Sequence, residues 1–287
     1  MPSEVIKVAK IFEKEFVIIS LGPKLNLIYL CKRSNFIYRI QFFLFIIAAS
    51  MVFSGISEAG FGSGASFAGA SLLSILMDPA VALGITLPLF MLADVVALPP
   101  FWNKWSWPTV KPIVLGSLPG VVLGVFLHRS ADTDLLRVLL GLISLAFVPY
   151  QVLQIVGVFS STPRKLSPRI GGLVGAIAGF TSFISHAEGP PVAVYLLAQE
   201  MDKTTYHSST VLIFTIINVF KFVPCAFLGM YTLETFWVDA IFAHFILLEA
   251  FVGVRARFLV PEKLFFILIY AMLLITGIKS LWGGLSG

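Results

Sequence analysis

Residues 77–86 of this chain align with residues 201–210 without a gap. The first stretch is Met77-Asp78-Pro79-Ala80-Val81-Ala82-Leu83-Gly84-Ile85-Thr86, and the second is Met201-Asp202-Lys203-Thr204-Thr205-Tyr206-His207-Ser208-Ser209-Thr210. The offset of 124 residues carries on into the apolar sequence that follows, where Asp94 falls on Asn218 and Pro100 on Pro224. Upstream, Gly60-Phe61-Gly62-Ser63-Gly64-Ala65-Ser66 falls on Ile184-Ser185-His186-Ala187-Glu188-Gly189-Pro190. A long self-similar period constrains a fold more than any single motif, because each copy must be one structural unit that packs on the other. Two homologous apolar halves, each interrupted by polar, glycine-rich sequence, have the layout of a secondary transporter, whose sites form between the repeats.

Composition fixes the solvent. Of 287 residues, 58% are hydrophobic and only 12% charged, against about 25% charged in a soluble domain. Lipid must cover most of such a surface. Apolar runs of roughly 20 residues, long enough to span a bilayer, recur from residue 36 to the C-terminus. Chemistry in a soluble cleft and nucleic-acid binding are poor readings. The net charge of +5 is that of basic loops facing anionic lipid. Two cysteines, Cys31 and Cys225, form no disulfide framework and no metal-binding spacing. No cofactor is expected.

Four regions are expected: a basic leader (1–35), a first membrane repeat (36–159), a cytoplasmic linker (160–169) and a second repeat (170–287). The leader holds Lys7, Lys10, Lys14, Lys24, Lys32 and Arg33, and its longest apolar run, 16–21, is too short to span. It suits an interfacial or disordered segment better than a cleaved signal. The linker is the one polar loop of any length. The expected fold is all-α and polytopic, with five hydrophobic segments per half: 36–56, 65–77, 79–101, 107–127 and 135–159, then 170–184, 190–200, 204–228, 236–253 and 264–281. One segment in each half has only about a dozen residues and reaches about half the bilayer at 1.5 Å per residue. It must break or re-enter, and its non-helical backbone must be buried in protein or line a wet cavity.

If every segment changes side and residue 36 starts outside, the two halves are inverted repeats. The cytoplasmic loops then hold Lys104, Lys111, Arg164, Lys165, Arg169, Lys203, Arg255, Arg257 and Lys263, and the far side only Arg129, Arg137 and Lys279. That asymmetry favours inversion. If the short segments are re-entrant hairpins, the halves run parallel. The basic leader then lies inside, but Arg255 and Arg257 lie outside.

Several features together resemble the TauE/SafE sulfite-exporter family of membrane permeases. They are the turn Gly60-Phe61-Gly62-Ser63-Gly64; Asp78-Pro79 with Ala82, Gly84 and Thr86; and His186-Ala187-Glu188-Gly189-Pro190-Pro191 with Tyr195-Leu196-Leu197, Thr210, Asn218 and Lys221. The resemblance covers about 36–283. It implies transport of small anions such as sulfite, organosulfonates, thiosulfate and related organic acids, commonly outward and driven by the proton gradient. Two departures stand out: Ala65 and Ser66 replace part of a more glycine-rich first motif, and Glu188 sits where a small residue is common.

An anion crossing a low-dielectric barrier needs compensating positive potential, which broken helices supply through free N–H groups and the positive end of their dipole. The turns at Gly62, Ser63, Gly64 and Ser66 and at Gly189 and Pro190 are candidates for this, with Ser185 as an added donor. The bland alternative is close helix packing by small residues. Lys221, between Phe220 and Phe222, is a costly charge in mid-segment. It is a candidate partner for the anion, for Glu188 or for Asp94, against snorkelling to an interface. Thr210, Phe214, Asn218 and Lys221 form a stripe at helical spacing, matched by Thr86, Phe90, Asp94 and Ala97. Thr86, Thr210 and Asn218 are therefore substrate-binding candidates; for Asn218 an interhelical hydrogen bond is an equal alternative. Glu188, His186 and Asp94 are candidates to hold a coupling proton, since coupling needs buried groups that take up a proton on one side and release it on the other. His186 would otherwise be a structural cap. His244 and Glu249 rank lower as a second relay. The aromatic cluster 101–107 suits an interfacial belt, and Gly116, Gly120 and Gly124 a close helix crossing.

The expected partners are a small anion, protons and the bilayer, with a homo-oligomer possible. A passive channel or accessory subunit is the main competing role. An intramembrane enzyme is disfavoured because no His-Glu-x-x-His or comparable pattern accompanies His186, Glu188, His207 and His244.

Overall fold

The computed structural model describes residues 70–71, 73, 77–155, 165–233, 235–244 and 262–286. The described residues form helices and no strands. They are α1 (Pro79–Ala97), α2 (Trp107–Ser130), α3 (Thr133–Ile155), α4 (Pro168–Ser185), the short α5 (Gly189–Leu197), α6 (Lys203–Phe227) and α7 (Glu262–Leu285), with a 3-10 turn at Pro99–Phe101. Residues 235–244 are also helical. The leader, the first segment, the glycine-rich turn with most of the first short segment, residues 160–164 of the linker, and Glu249 lie outside the described residues.

Local chemistry explains the helix ends. Asp78 and Asp202, equivalent in the two repeats, cap α1 and α6. Asp78 Oδ1 accepts from Ala80 N at 2.8 Å, and Asp202 Oδ1 from Thr204 N and Thr205 N at 2.9 and 3.1 Å. Each cap satisfies N–H groups that a helix start leaves orphaned. The segment expected at 79–101 does not continue as one α-helix. Pro99 and Pro100 have no N–H to give, so the α-helix stops at Ala97 and a 3-10 turn finishes the run. In the second half, the short segment expected at 190–200 is the nine-residue α5.

Helices α1, α2 and α6, of 19, 24 and 25 residues, are long and apolar enough to cross a membrane. Their outer faces carry large apolar side chains open to the surroundings, including Leu115, Leu123, Phe126 and Phe227. That is the surface lipid requires and water penalises. Trp102 and Trp107 are exposed at one end of these helices, where amphipathic rings favour an interface.

Small residues set the closest helix contact. A Cβ on Gly116 would collide with Gly172 O, on Gly120 with Ala176 O, on Gly175 with Ile113 O, and on Gly179 with Ser117 O. The paired numbers rise together, so α2 and α4 run parallel with their backbones touching, as small-residue stripes allow. Gly116, Gly120 and Gly124 thus serve packing.

Two other pairs run antiparallel. In α3 and α7, Gly141 lies against Gly277 and Leu281, and Gly284 against Asp134. In α1 and α6, Gly84 packs near Met230, just past the end of α6, and Asp94 meets Asn218. Leu98, just past α1, packs on the cluster containing Leu212 and Ile213.

The contacts define two ends of the bundle. At one end Gln199 Nε2 donates to Leu166 O (3.0 Å), Ser106 N to Ser209 Oγ (3.1 Å), and Phe101 rests edge-on against His207. At the other, Thr133 Oγ1 donates to Asp78 Oδ2 (3.1 Å), near the 228–232 turn and the end of α7.

Candidate functional site

α4 ends where the polar sequence begins, and the chain then doubles back. His186 adopts a left-handed conformation (φ 54°), and its N–H closes the helix on Ser182 O at 2.9 Å. A non-glycine residue is rarely held there without strong surrounding constraint. The Thr181 hydroxyl lies 2.8 Å from Ala187 O, and Ala187 N bonds Thr181 O, which turns the chain down along α4. α5 then starts in the interior and, at 1.5 Å per residue, runs about 14 Å, roughly half a bilayer core. It ends beside the start of α4, where Gln199 holds Leu166.

His186 is the hub of the site. Lys221 Nζ lies 2.9 Å from its Nδ1 and 3.4 Å from Ser182 O, while Thr86 Oγ1 lies 2.9 Å from its Nε2. An ammonium can only donate, so Nδ1 must accept. The ring's proton is then on Nε2, which donates to Thr86 Oγ1, and Thr86 donates to Ala82 O at 2.8 Å. A directed chain therefore runs from Lys221 through His186 and Thr86 into the backbone of α1. Phe90 packs edge-on against the imidazole at 4.9 Å.

All of this is removed from the surroundings. Lys221 and Thr86 are 0% exposed and His186 1%. Lys221 does not snorkel: its amine is bonded on α4 in the interior, so the alternative open at the sequence level does not hold. The first half supplies no counterpart, since its equivalent residue is Ala97.

Two buried carboxyls share this interior. Asn218 Nδ2 donates to Asp94 Oδ2 at 2.8 Å. The two residues occupy the same position in the two repeats, so the repeats touch through their own equivalent residues. Asp94 also lies within electrostatic range of Glu188 and Lys221. Asn218 Oδ1, Glu188 Oε2 and Ser182 Oγ are buried with no hydrogen-bond partner among the described residues. A double-mutant cycle of Asp94→Ala and Asn218→Ala in unfolding measurements is expected to give a coupling of about 1.5–3 kcal/mol, the range for a hydrogen bond to a charged group. Additive losses would show the bond to be energetically idle.

The start of α5 offers less to an anion than its dipole suggests. Of the four amides that a helix start leaves free, those of Pro190 and Pro191 have no N–H. Gly189 keeps its amide and is buried. Glu188 immediately precedes it, without capping the helix through its side chain. Pro190 can shape the site but cannot donate to a ligand.

The other candidates are placed as follows. Thr210 is buried, but its hydroxyl donates to Tyr206 O of its own helix at 3.0 Å. Ser185 likewise bonds back to Thr181 O. Gly62, Ser63, Gly64 and Ser66 lie outside the described residues. His244 is exposed. No group of three or more His, Cys, Asp or Glu suited to a metal ion occurs among the described residues. Ser182 was not singled out from the sequence.

No curated protein and no solved structure matches the chain. The family model for the sulfite exporter TauE/SafE matches residues 46–280, most of the chain and both repeats. The buried cation and broken helix of the second repeat thus lie within the matched region, and the chain belongs to the TauE/SafE family of membrane transporters, which are not enzymes.

Proposed function

We propose that the protein is a secondary transporter of small anions, either sulfite and organosulfonates or related sulfur-containing and carboxylate anions. It is proton-coupled, export-directed and placed in the plasma membrane. The observation that carries this is the Lys221 ammonium, fully buried and held by His186 where α4 breaks into α5. A buried cation is costly in a membrane and invites an anion.

The carboxyls supply the coupling. Glu188 precedes the amide end of α5, the place an anion would also occupy, with one carboxyl oxygen unpartnered. Charged, it competes with the substrate for Lys221 and Gly189. Protonated, it yields. Anion binding and proton binding thus support each other, which couples them in the same direction; export then runs down the anion's own outward gradient and the inside-negative potential, carrying the proton along. Asp94, held by Asn218, is the second group able to take a proton. Thr86 fixes His186, and through it Lys221.

The antiparallel α1/α6 and α3/α7 pairs support inverted repeats. Each joins helices that are equivalent under the repeat, and equivalent helices of parallel repeats would point the same way. Gln199 against Leu166 also supports α5 returning to the end where α4 starts. That end carries Lys104, Lys165 and Lys203, as expected of a cytoplasmic face.

Glu188→Gln tests the coupling. The variant imitates the protonated acid, so it is expected to keep anion exchange and lose accumulation driven by a pH gradient. Undiminished gradient-driven accumulation would remove Glu188 from the mechanism, and a wild-type flux indifferent to the gradient would make the protein a channel.

A further inference from the structure

We propose that Cys225, Tyr231 and Asp239 line the route by which the anion passes between Lys221 and the membrane face bearing the 228–232 turn. The inference rests on the transport reading above and adds a path to its site.

Cys225 follows Lys221 by four residues on α6, so the two stack on one helix face, and both are 0% exposed. From Lys221 to the end of α6 at Phe227 is about 9 Å at 1.5 Å per residue. The turn beyond folds back on Cys225. Met230 N bonds Cys225 O at 3.1 Å, and Tyr231 packs on the cluster containing Cys225 while stacking on Phe222 at 5.0 Å. Asp239 lies four residues after buried Thr235 on the next helix and is within electrostatic range of Tyr231. Lys221, Cys225 and Tyr231 therefore form a line of polar groups from the site to the end of the bundle opposite Lys104 and Lys203, and Asp239, about 10 Å in from that end on the next helix, lies within electrostatic range of Tyr231.

Two observations mark the line as a path. Asp239 Oδ1 is buried with no hydrogen-bond partner among the described residues, and the Tyr231 hydroxyl meets the Cys225 thiol, a weak partner. A polar group buried without a partner destabilises a static fold, whereas along a route it is solvated whenever the route opens. The repeat also separates fold from function. The first-half equivalents are Ala97, Phe101, Trp107 and Leu115, all apolar or aromatic. The fold of a half therefore needs no polar group at these positions. Gly229 is loosely covered, since a Cβ there would meet nothing within 4 Å.

The natural thiol provides the test. With Cys31→Ser, Cys225 is the only cysteine in the chain. Right-side-out and inside-out vesicles would be treated with an impermeant anionic reagent, 2-sulfonatoethyl methanethiosulfonate, with its cationic trimethylammonium analogue, and with permeant N-ethylmaleimide. The anionic reagent is expected to label Cys225 from the face opposite Lys104, and sulfite is expected to slow it. Asp239→Asn should speed the anionic reagent and slow the cationic one by about fivefold each, the effect of one charge at about 4 Å in water, so their rate ratio should rise about twenty-five-fold. Labelling by N-ethylmaleimide alone, no labelling at all, or an unchanged ratio in Asp239→Asn would overturn the route. Labelling is read without transport. Wild-type flux without labelling fails the route alone, while labelling without any anion flux fails the transport reading alone.

Discussion

Replacing Lys221 with methionine is expected to abolish gradient-driven anion accumulation while leaving a folded, membrane-inserted protein. Methionine keeps most of the unbranched stem and loses the ammonium. Removal relieves the desolvation of a buried ammonium but leaves His186 Nδ1 and Ser182 O without its donors, so stability should fall by no more than about 1–3 kcal/mol and the fold should hold. Function should not survive. Lys221 is the cation bonded to His186, and the two proline nitrogens at the start of α5 cannot replace its donors. Removing one partner of a buried charge pair costs about 2–5 kcal/mol, so substrate affinity should fall by at least about thirtyfold. Binding of labelled sulfite to purified protein, read with a melting curve, separates the two effects. Unchanged binding would remove Lys221 from the site. Loss of folding would make it structural.

The second large effect falls on the fold. Gly120→Val is expected to prevent stable assembly, because its Cβ would overlap Ala176 O, a backbone atom that cannot rotate away. α2 and α4 would have to separate along a contact that also includes Gly116, Gly175 and Gly179. Overpacking of this kind costs about 1–3 kcal/mol or more, a large share of the roughly 5–15 kcal/mol that holds a domain together. Two other glycines, one on α4 and one on α7, serve as controls. At Gly172 the nearest atom to a new Cβ is Pro112 O at 3.9 Å, and at Gly283 nothing lies within 4 Å. Both alanine variants should be tolerated, and each should gain up to about 1 kcal/mol of helix propensity. The check is size-exclusion homogeneity and thermal midpoint in detergent. A monodisperse Gly120→Val protein with a wild-type midpoint would show that the helices are not in backbone contact.

Much of the fold was legible because membrane sequence is restrictive. Among the described residues, the apolar runs gave helix positions to within a few residues, and Asp78 and Asp202 marked two starts through their capping chemistry. The Pro99-Pro100 break was visible in the sequence but was absorbed into a longer segment, because apolarity continues through it. Gly189-Pro190-Pro191 announced a short helix, and α5 has that form. The candidate site was legible by residue type and not by partnership. Lys221, His186 and Asp94 stand out as polar residues in apolar sequence. That Lys221 sits on His186, 35 residues away, and that Asp94 meets its own repeat equivalent, follow from how the helices pack. Ser182 was missed because its part is played by a backbone carbonyl, which every residue has. Thr210 looked like Thr86 through the repeat. The packing gives Thr86 an imidazole and leaves Thr210 bonded to its own helix.

The central claim is proton-coupled movement of a small anion. It is tested most directly by purified protein in liposomes loaded with labelled sulfite, with efflux followed before and after a pH gradient is imposed. The account predicts sulfite movement against its own gradient that collapses when a protonophore is added. Sulfite flux that ignores the gradient, or no flux at all, would contradict it.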